Sequence, residues 1–324
     1  MASGGGGSLL SFIVRRLFIT IPLLLLISFA VFSLVFLLPG DPAVAMAGGT
    51  RANLGEIARI RQQLHLNQPF WKQYLEWLNQ VLHGNLGSSI FKPHTSVASE
   101  LGLRFPVTLS IALGAMVFSV IFGIPAGILS GVRQGTLRDR TVTVGSSLGV
   151  AIPDFWLAIM LVTIFAVDFH LLPALGYTPF TQSPAEWAED LFLPWLALGL
   201  GGAAVIARQV RGAMIDTLDQ DYMRTALAKG LGPRAVIGKH ALKNALSPAV
   251  TVIGISFGYL LGGTVIIEQI FSLPGIGTYV LEAISVKDLP PIQGVVLVTA
   301  VAFVLINLVV DIIYGFLNPK VRLG

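Results

Sequence analysis

Residues 222–248 read YMRTALAKGLGPRAVIGKHALKNALSP, a basic stretch set between two long apolar runs. It has the pattern of two amphipathic helices separated by a glycine-rich turn. Loops between spans are usually short and irregular. A loop built as a docking surface implies a membrane subunit that another protein pushes on.

Composition agrees with a membrane setting. Of 324 residues, 54% are hydrophobic and only 12% charged, where a soluble domain carries roughly a quarter. Mean hydropathy is +0.78. The chain contains no cysteine, which excludes a disulfide framework, a thiolate zinc site and a cysteine nucleophile. Residues Ser3–Ser8, SGGGGS, read as a flexible linker. Residues 1–11 are therefore set apart as a tail, and residues 12–324 as one transmembrane domain.

A helix needs about 20 apolar residues to cross a hydrocarbon core of about 30 Å. Six segments qualify or come close, the fourth being the shortest: Leu17–Leu38, Pro106–Val132, Thr141–Val167, Leu191–Ala207, Ala245–Ile267 and Ile292–Ile313. The expected fold is all-α and polytopic, with six transmembrane helices. Basic residues fix its orientation. With the N-terminus inside, the inner segments hold Arg15, Arg16, Arg133, Arg138, Arg140, Arg208, Arg211, Arg224, Lys229, Arg234, Lys239, Lys243, Lys320 and Arg322. The outer segment from Asp168 to Asp190 has four acids and no Lys or Arg. Both termini and the 208–246 loop are thus expected on the cytoplasmic side, and the charge reflects topology rather than nucleic-acid binding.

The first outer loop, residues 39–105, is too long for a simple connection. Helices are expected at Glu56–His65 and Phe70–His83, the second with Phe70, Tyr74, Leu78 and Val81 along one stripe. Trp71 and Trp77 suit a membrane–water interface. The loop is either a lid on the outer ends of the spans or a landing surface for an extracytoplasmic partner.

Small residues recur every fourth position: Gly254, Gly258 and Gly262; Gly123, Gly127 and Gly131; Gly199, Ala203 and Ala207. Such stripes let helix backbones approach closely in lipid. They serve packing within the chain or a seam against a second membrane subunit, and spacing alone does not choose.

Ionisable groups within the spans are few. Asp154 follows Pro153 about 14 residues beyond Arg140, near mid-membrane at about 1.5 Å per residue. It either faces a translocation path that accepts a cationic group or caps the helix that restarts after Pro153. Asp311 reads as an interfacial partner of Lys320 or Arg322, and Glu268 as exposed at the outer end of the fifth span. This scarcity of acids argues against a proton- or sodium-coupled carrier.

The energy source lies elsewhere. At the only Gly-Lys pair, Gly238-Lys239, Pro233 stands where a phosphate loop needs its first glycine and His240 where it needs a hydroxyl. A zinc-protease helix and a serine-nucleophile elbow are also missing from the sequence. Neither catalysis nor a metal site is expected.

Several motifs now combine. Thr225-Ala226, then three residues to Gly230, six to Ile237, two to His240 and one to Leu242 resembles the EAA loop of bacterial ABC importer permeases. Leu38-Pro39-Gly40-Asp41-Pro42, Gly84-Asn85-Leu86-Gly87, the run from Glu268 to Gly275, and Asp311-Ile312-Ile313-Tyr314 are similar to the B-type permeases of dipeptide, oligopeptide and nickel uptake. The resemblance covers nearly the whole chain after the linker.

It implies the type I importer permease fold and a loop that docks in a groove of a cytoplasmic ATPase. Tyr222, Met223 and Ala226 would supply the apolar face, Thr225 and Ala226 the small side chains, and Gly230 the stop, with Lys229 and His240 in the same segment. A second helix, Ala235 to Leu246, would return to the membrane. The glutamate that names the motif is replaced by Arg224, so an acid on the ATPase is the alternative contact.

The implied partners are a second homologous permease, two ATPase domains that hold ATP and magnesium, and an extracytoplasmic substrate-binding protein. The chain itself would bind no cofactor and no nucleic acid. The implied cargo is a di- or oligopeptide crossing the bacterial cytoplasmic membrane. Nickel chelates, glutathione or other small solutes are the alternatives, and a self-sufficient carrier is the rival mechanism.

Overall fold

The computed structural model describes residues 9–37, 41, 43–44, 47, 53–63, 66–92, 95–232 and 235–317. Among these the regular structure is helical, joined by turns and loops, with an isolated antiparallel bridge between Ser88 and Ser96. Helix α1 spans Leu9–Ser33, α2 Leu54–Gln63, α3 Phe70–Leu82, α4 Val97–Val132, α5 Leu137–Ala151 and α6 Asp154–Leu161. A π-helical turn, Val162–Asp168, extends α6. Then come α7 Pro184–Leu218, α8 Asp221–Ala228, α9 Leu242–Ile270, α10 Ile276–Val286 and α11 Leu289–Leu317.

Among the described residues, five helices, α1, α4, α7, α9 and α11, are long and apolar enough to cross a bilayer. The expected third span, Thr141–Val167, is not a straight rod. Its halves α5 and α6 bend by 98° at a break. Pro153 has no N–H to donate and crowds the preceding turn, and it holds Ile152 extended at φ −81°, ψ 123°. The expected fourth span, Leu191–Ala207, is longer in both directions. Ser183 accepts from the Glu186 amide, with Pro184 at the first helical position, and this starts α7 well before Leu191.

The chain divides into two compact units. One comprises Met1–Arg16, Leu109–Leu273 and Leu305–Gly324; the other comprises Leu17–Thr108 and Pro274–Val304. In the first, the two small-residue stripes of α4 and α7 face each other. A Cβ on Gly123 would lie 2.8 Å from the Ala203 carbonyl oxygen, and one on Gly127 would lie 2.6 Å from that of Ala207. Such separations are available only to glycine, so these stripes are packing within the chain. Asp311 pairs with Arg16 at 3.1 Å, whereas Lys320 and Arg322 lie outside the described residues. Glu268, expected to be exposed, is 0% accessible. Beyond it the chain turns back on itself, with Leu273 N–H donating to the Glu268 carbonyl at 2.8 Å and Phe271 and Leu273 buried.

In the second unit, α2 and α3 fall within two or three residues of their expected positions; His65 lies outside the described residues. Helix α3 packs on α1: the Tyr74 hydroxyl meets the Ser28 hydroxyl at 2.9 Å, and Phe29, Phe32 and Phe36 surround Phe70, Tyr74 and Trp77. The loop thus lies against the first span, while Trp71 stays exposed. Helix α10, unforeseen in the sequence, buries Ile276 and Tyr279 against Val97 and Leu101 of α4.

Candidate functional site

Helix α8 is the elbow of the 222–248 stretch. It ends in a two-bond C-terminal cap: Leu231 N–H donates to the Ala226 carbonyl at 3.3 Å and Gly230 N–H to the Leu227 carbonyl at 3.0 Å. This closure needs a left-handed residue, and Gly230 sits at φ +79°.

The apolar face differs from the expected one. Met223 is 1% exposed, and with Ala226 it points into the chain's own core, onto Ile206, Val210 and Met214 of α7 and Val236, Ala241, Ala245 and Ala249. Tyr222 does point outward, its hydroxyl accepting from Asn244 Nδ2 at 3.0 Å. Leu227, 49% exposed, and Leu231 join it. Outward apolar surface therefore comes from Tyr222, Leu227 and Leu231, with Met223 and Ala226 as the inward anchor. Arg224 and Thr225 are exposed, as is Lys229. The Arg224 guanidinium lies 3.3 Å from Asp219 on this chain, so the arginine that replaces the motif's acid has a local partner. Thr225 donates to the Asp221 carbonyl at 3.0 Å. The His240 side chain lies outside the described part of the structure.

The second expected helix is not separate. Val236–Ala241 form a π-helical turn that runs directly into α9, giving one continuous helix from Val236 to Ile270. The elbow thus grips α7 and α9 together.

One strong polar contact escaped the sequence reading. Asp139, at the start of α5, is nearly fully buried and accepts from Arg211 Nε at 2.6 Å and Nη2 at 3.0 Å. Ser130 Oγ and the Gly135 amide also donate to it. The ends of α4, α5 and α7 are tied at this carboxylate. An isolated acid between Arg138 and Arg140 was the only signal in the sequence.

Asp154 lies apart from the elbow. Pro153 occupies the N-cap position of α6, Asp154 is the first helical residue, and no side chain caps this end. The carboxylate lines a cavity of about 450 Å³ between the α5–α6 break, α7 and α9. The fifth-span stripe divides in its turn. A Cβ on Gly254 would lie 2.7 Å from Val310, whereas Gly262 faces open space; Gly258 is half-buried.

Residues 123–323 match the family model described as binding-protein-dependent transport system inner membrane component, and residues 9–112 match its N-terminal companion. A Sinorhizobium fredii protein named "Probable peptide ABC transporter permease protein y4tP" is 42% identical over 96% of this chain and 99% of its own length. The glutathione transport system permease protein GsiC of Salmonella choleraesuis is 39% identical over 97% of this chain and 99% of its own. Among solved structures, the native crystal form of the inward-facing MetNI methionine ABC transporter has a chain that superposes with a TM-score of 0.54 at 20% identity. That match covers 67% of this chain and 96% of the MetNI chain, so the two share a fold.

Proposed function

We propose, from the premise that this chain belongs to the family of binding-protein-dependent transport system inner membrane components, that it forms half of the gate of a peptide importer. It is a multi-pass ABC importer permease and not an enzyme. Its cargo on this reading is a di- or oligopeptide, since near full-length relatives carry peptide and glutathione transport in their names. Partners are a second homologous permease, two ATPase domains carrying ATP and magnesium, and an extracytoplasmic binding protein. Both termini and the elbow face the cytoplasm, in line with the distribution of Lys and Arg.

The observation that carries the mechanism is the two-sided elbow. Tyr222, Leu227 and Leu231 offer apolar surface outward, while Met223 and Ala226 are buried among α7 and α9 residues. A close-packed core transmits displacement instead of absorbing it. When ATP closes the paired ATPases, a shift of α8 carries α7 and α9 with it. Arg211–Asp139 and the Gly123–Gly127 contacts then draw in α5 and α4. The helices rock between inward- and outward-open states, with no chemistry within this chain.

The test is reconstitution of the complete complex in liposomes with radiolabelled trialanine. Uptake that requires ATP, both permeases and the binding protein is the expected result. Gradient-driven uptake by this chain alone would overturn the reading in favour of a carrier. Uptake of glutathione or a nickel chelate without trialanine would keep the mechanism and replace the cargo.

A further inference from the structure

The break between α5 and α6 leaves a half-open cavity of about 450 Å³, walled by the break itself, α7 and α9. This volume lies in the ordinary range of small-molecule sites. Among the described residues that line it, Asp154 is the only charged side chain and none is Lys, Arg or His. The other polar side chains are the hydroxyls of Ser256 and Tyr259. Asp154 makes no hydrogen bond or ion pair with any described residue. Space is reserved for it, because a Cβ on Gly201 would stand 3.0 Å from its Oδ1.

A carboxylate held within a membrane segment carries a large desolvation cost unless a cation or donors meet it. Here the described residues supply neither. What the cavity offers is an acceptor set: a carboxylate, two hydroxyl oxygens and an aromatic ring. That set suits a primary ammonium, with three donors and a compact positive charge. It repels an anion, since no described residue of the wall is positive.

We propose that this cavity is a cation subsite within the permease, where Asp154 receives the protonated amino group of the cargo on its way through. The proposal rests on the importer reading and names a part of the cargo that the permease itself contacts. Two walls, α7 and α9, are the helices gripped by the elbow at Met223 and Ala226. Movement of the elbow therefore changes the size of the subsite, which takes up the ammonium in one state and releases it in the other. A purely structural Asp154 would favour the start of α6 through the helix dipole. That role requires no selectivity for cations at the cavity.

The absence of cysteine gives a direct test. In the full complex, Ser256→Cys places a lone thiol of this chain in the cavity wall. It is reacted with a cationic trimethylammonium-ethyl and an anionic sulfonatoethyl methanethiosulfonate. Each rate is divided by that reagent's rate with free cysteine, and modification is read by mass spectrometry of this chain. Any change in the thiol's own reactivity cancels in the ratio. The ratio should favour the cation at least tenfold in the nucleotide-free or the ATP-bound complex. It should fall towards one in Asp154→Asn and return in Asp154→Glu. A ratio unmoved by Asp154→Asn, or no reaction with either reagent in both states, overturns the subsite whatever the cargo. A ratio that responds to Asp154 in a complex that fails to take up trialanine supports the subsite and removes the peptide reading instead.

Discussion

Arg211 and Asp139 meet in a two-pronged ion pair, Nε to Oδ1 at 2.6 Å and Nη2 to Oδ2 at 3.0 Å, although 72 residues separate them. The Asp139 side chain is 6% exposed and that of Arg211 28%. Removing one partner of a buried pair strands the other charge and costs roughly 3–5 kcal/mol. Asp139 would keep Ser130 and Gly135, and Arg211 is partly solvated, so Arg211→Gln should cost about 2 kcal/mol. Thermal unfolding of the purified protein in detergent measures this, and Asp139→Asn alone should lower Tm similarly. An Arg211→Gln protein with unchanged Tm would show that the pair does not hold these helix ends together.

Gly230 tests the turn itself. No atom lies within 4 Å of where its Cβ would be, so any penalty comes from φ +79° and not from collision. A side chain in the left-handed region costs about 1–2 kcal/mol, more for a β-branched residue and less for Asn. Gly230→Val should insert normally yet lose most ATP-driven uptake, because the last turn of α8 unwinds. Gly230→Asn should retain most of it. Equal transport by both variants would mean that the left-handed turn is not needed for coupling.

Tyr279 supplies a pH prediction. Its hydroxyl is buried without a hydrogen-bond partner among the described residues, while Arg104 lies 5.0 Å from the ring centre. Burial first, then the Glu100 and Asp288 carboxylates, push the phenol up from 10.0 to about 12. The raised value means the folded state holds its proton more tightly. The resulting stability is fully present below pH about 10 and is lost as pH rises through about 12. Near neutral pH the pKa shift has no effect, and because the buried hydroxyl has no partner among the described residues, Tyr279→Phe should be neutral or up to about 1 kcal/mol stabilising there. It should lose less Tm than wild type between about pH 10 and pH 12. A larger alkaline loss in the variant would contradict this origin of the shift.

What the sequence made legible were features with a period or a length. The long apolar runs gave the spans and the Phe70–Val81 stripe gave α3, while a break at Pro153 was one of two readings that the sequence left open. Helix α10 was missed because its 11 residues are too few to cross a membrane and sit between two louder signals. The 98° bend after α5 depends on tertiary packing, which a lone proline does not specify. Glu268 differs from its expected exposure because an acid beside a span reads as solvated, and its burial depends on tertiary packing that no local pattern encodes. Contacts such as Asp139 with Arg211 have no local signature at all.

The elbow shows a subtler limit and gives the last prediction. Tyr222, Met223, Ala226 and Leu227 are all apolar on an eight-residue helix, too wide an arc for periodicity to tell the face that packs inward from the one that faces out. The structure separates them: Met223 is 1% exposed and Leu227 49%. Met223→Ala removes a fully buried side chain and should cost about 2–3 kcal/mol of stability. Leu227→Ala should leave Tm within about 0.5 kcal/mol of wild type, as exposed sites do. Yet it should weaken ATPase co-purification about tenfold, the range for losing a buried apolar contact at an interface. The two variants thus split stability from docking. If Met223→Ala impaired ATPase binding at unchanged Tm, and Leu227→Ala did the reverse, the inward and outward assignments of α8 would have to be exchanged.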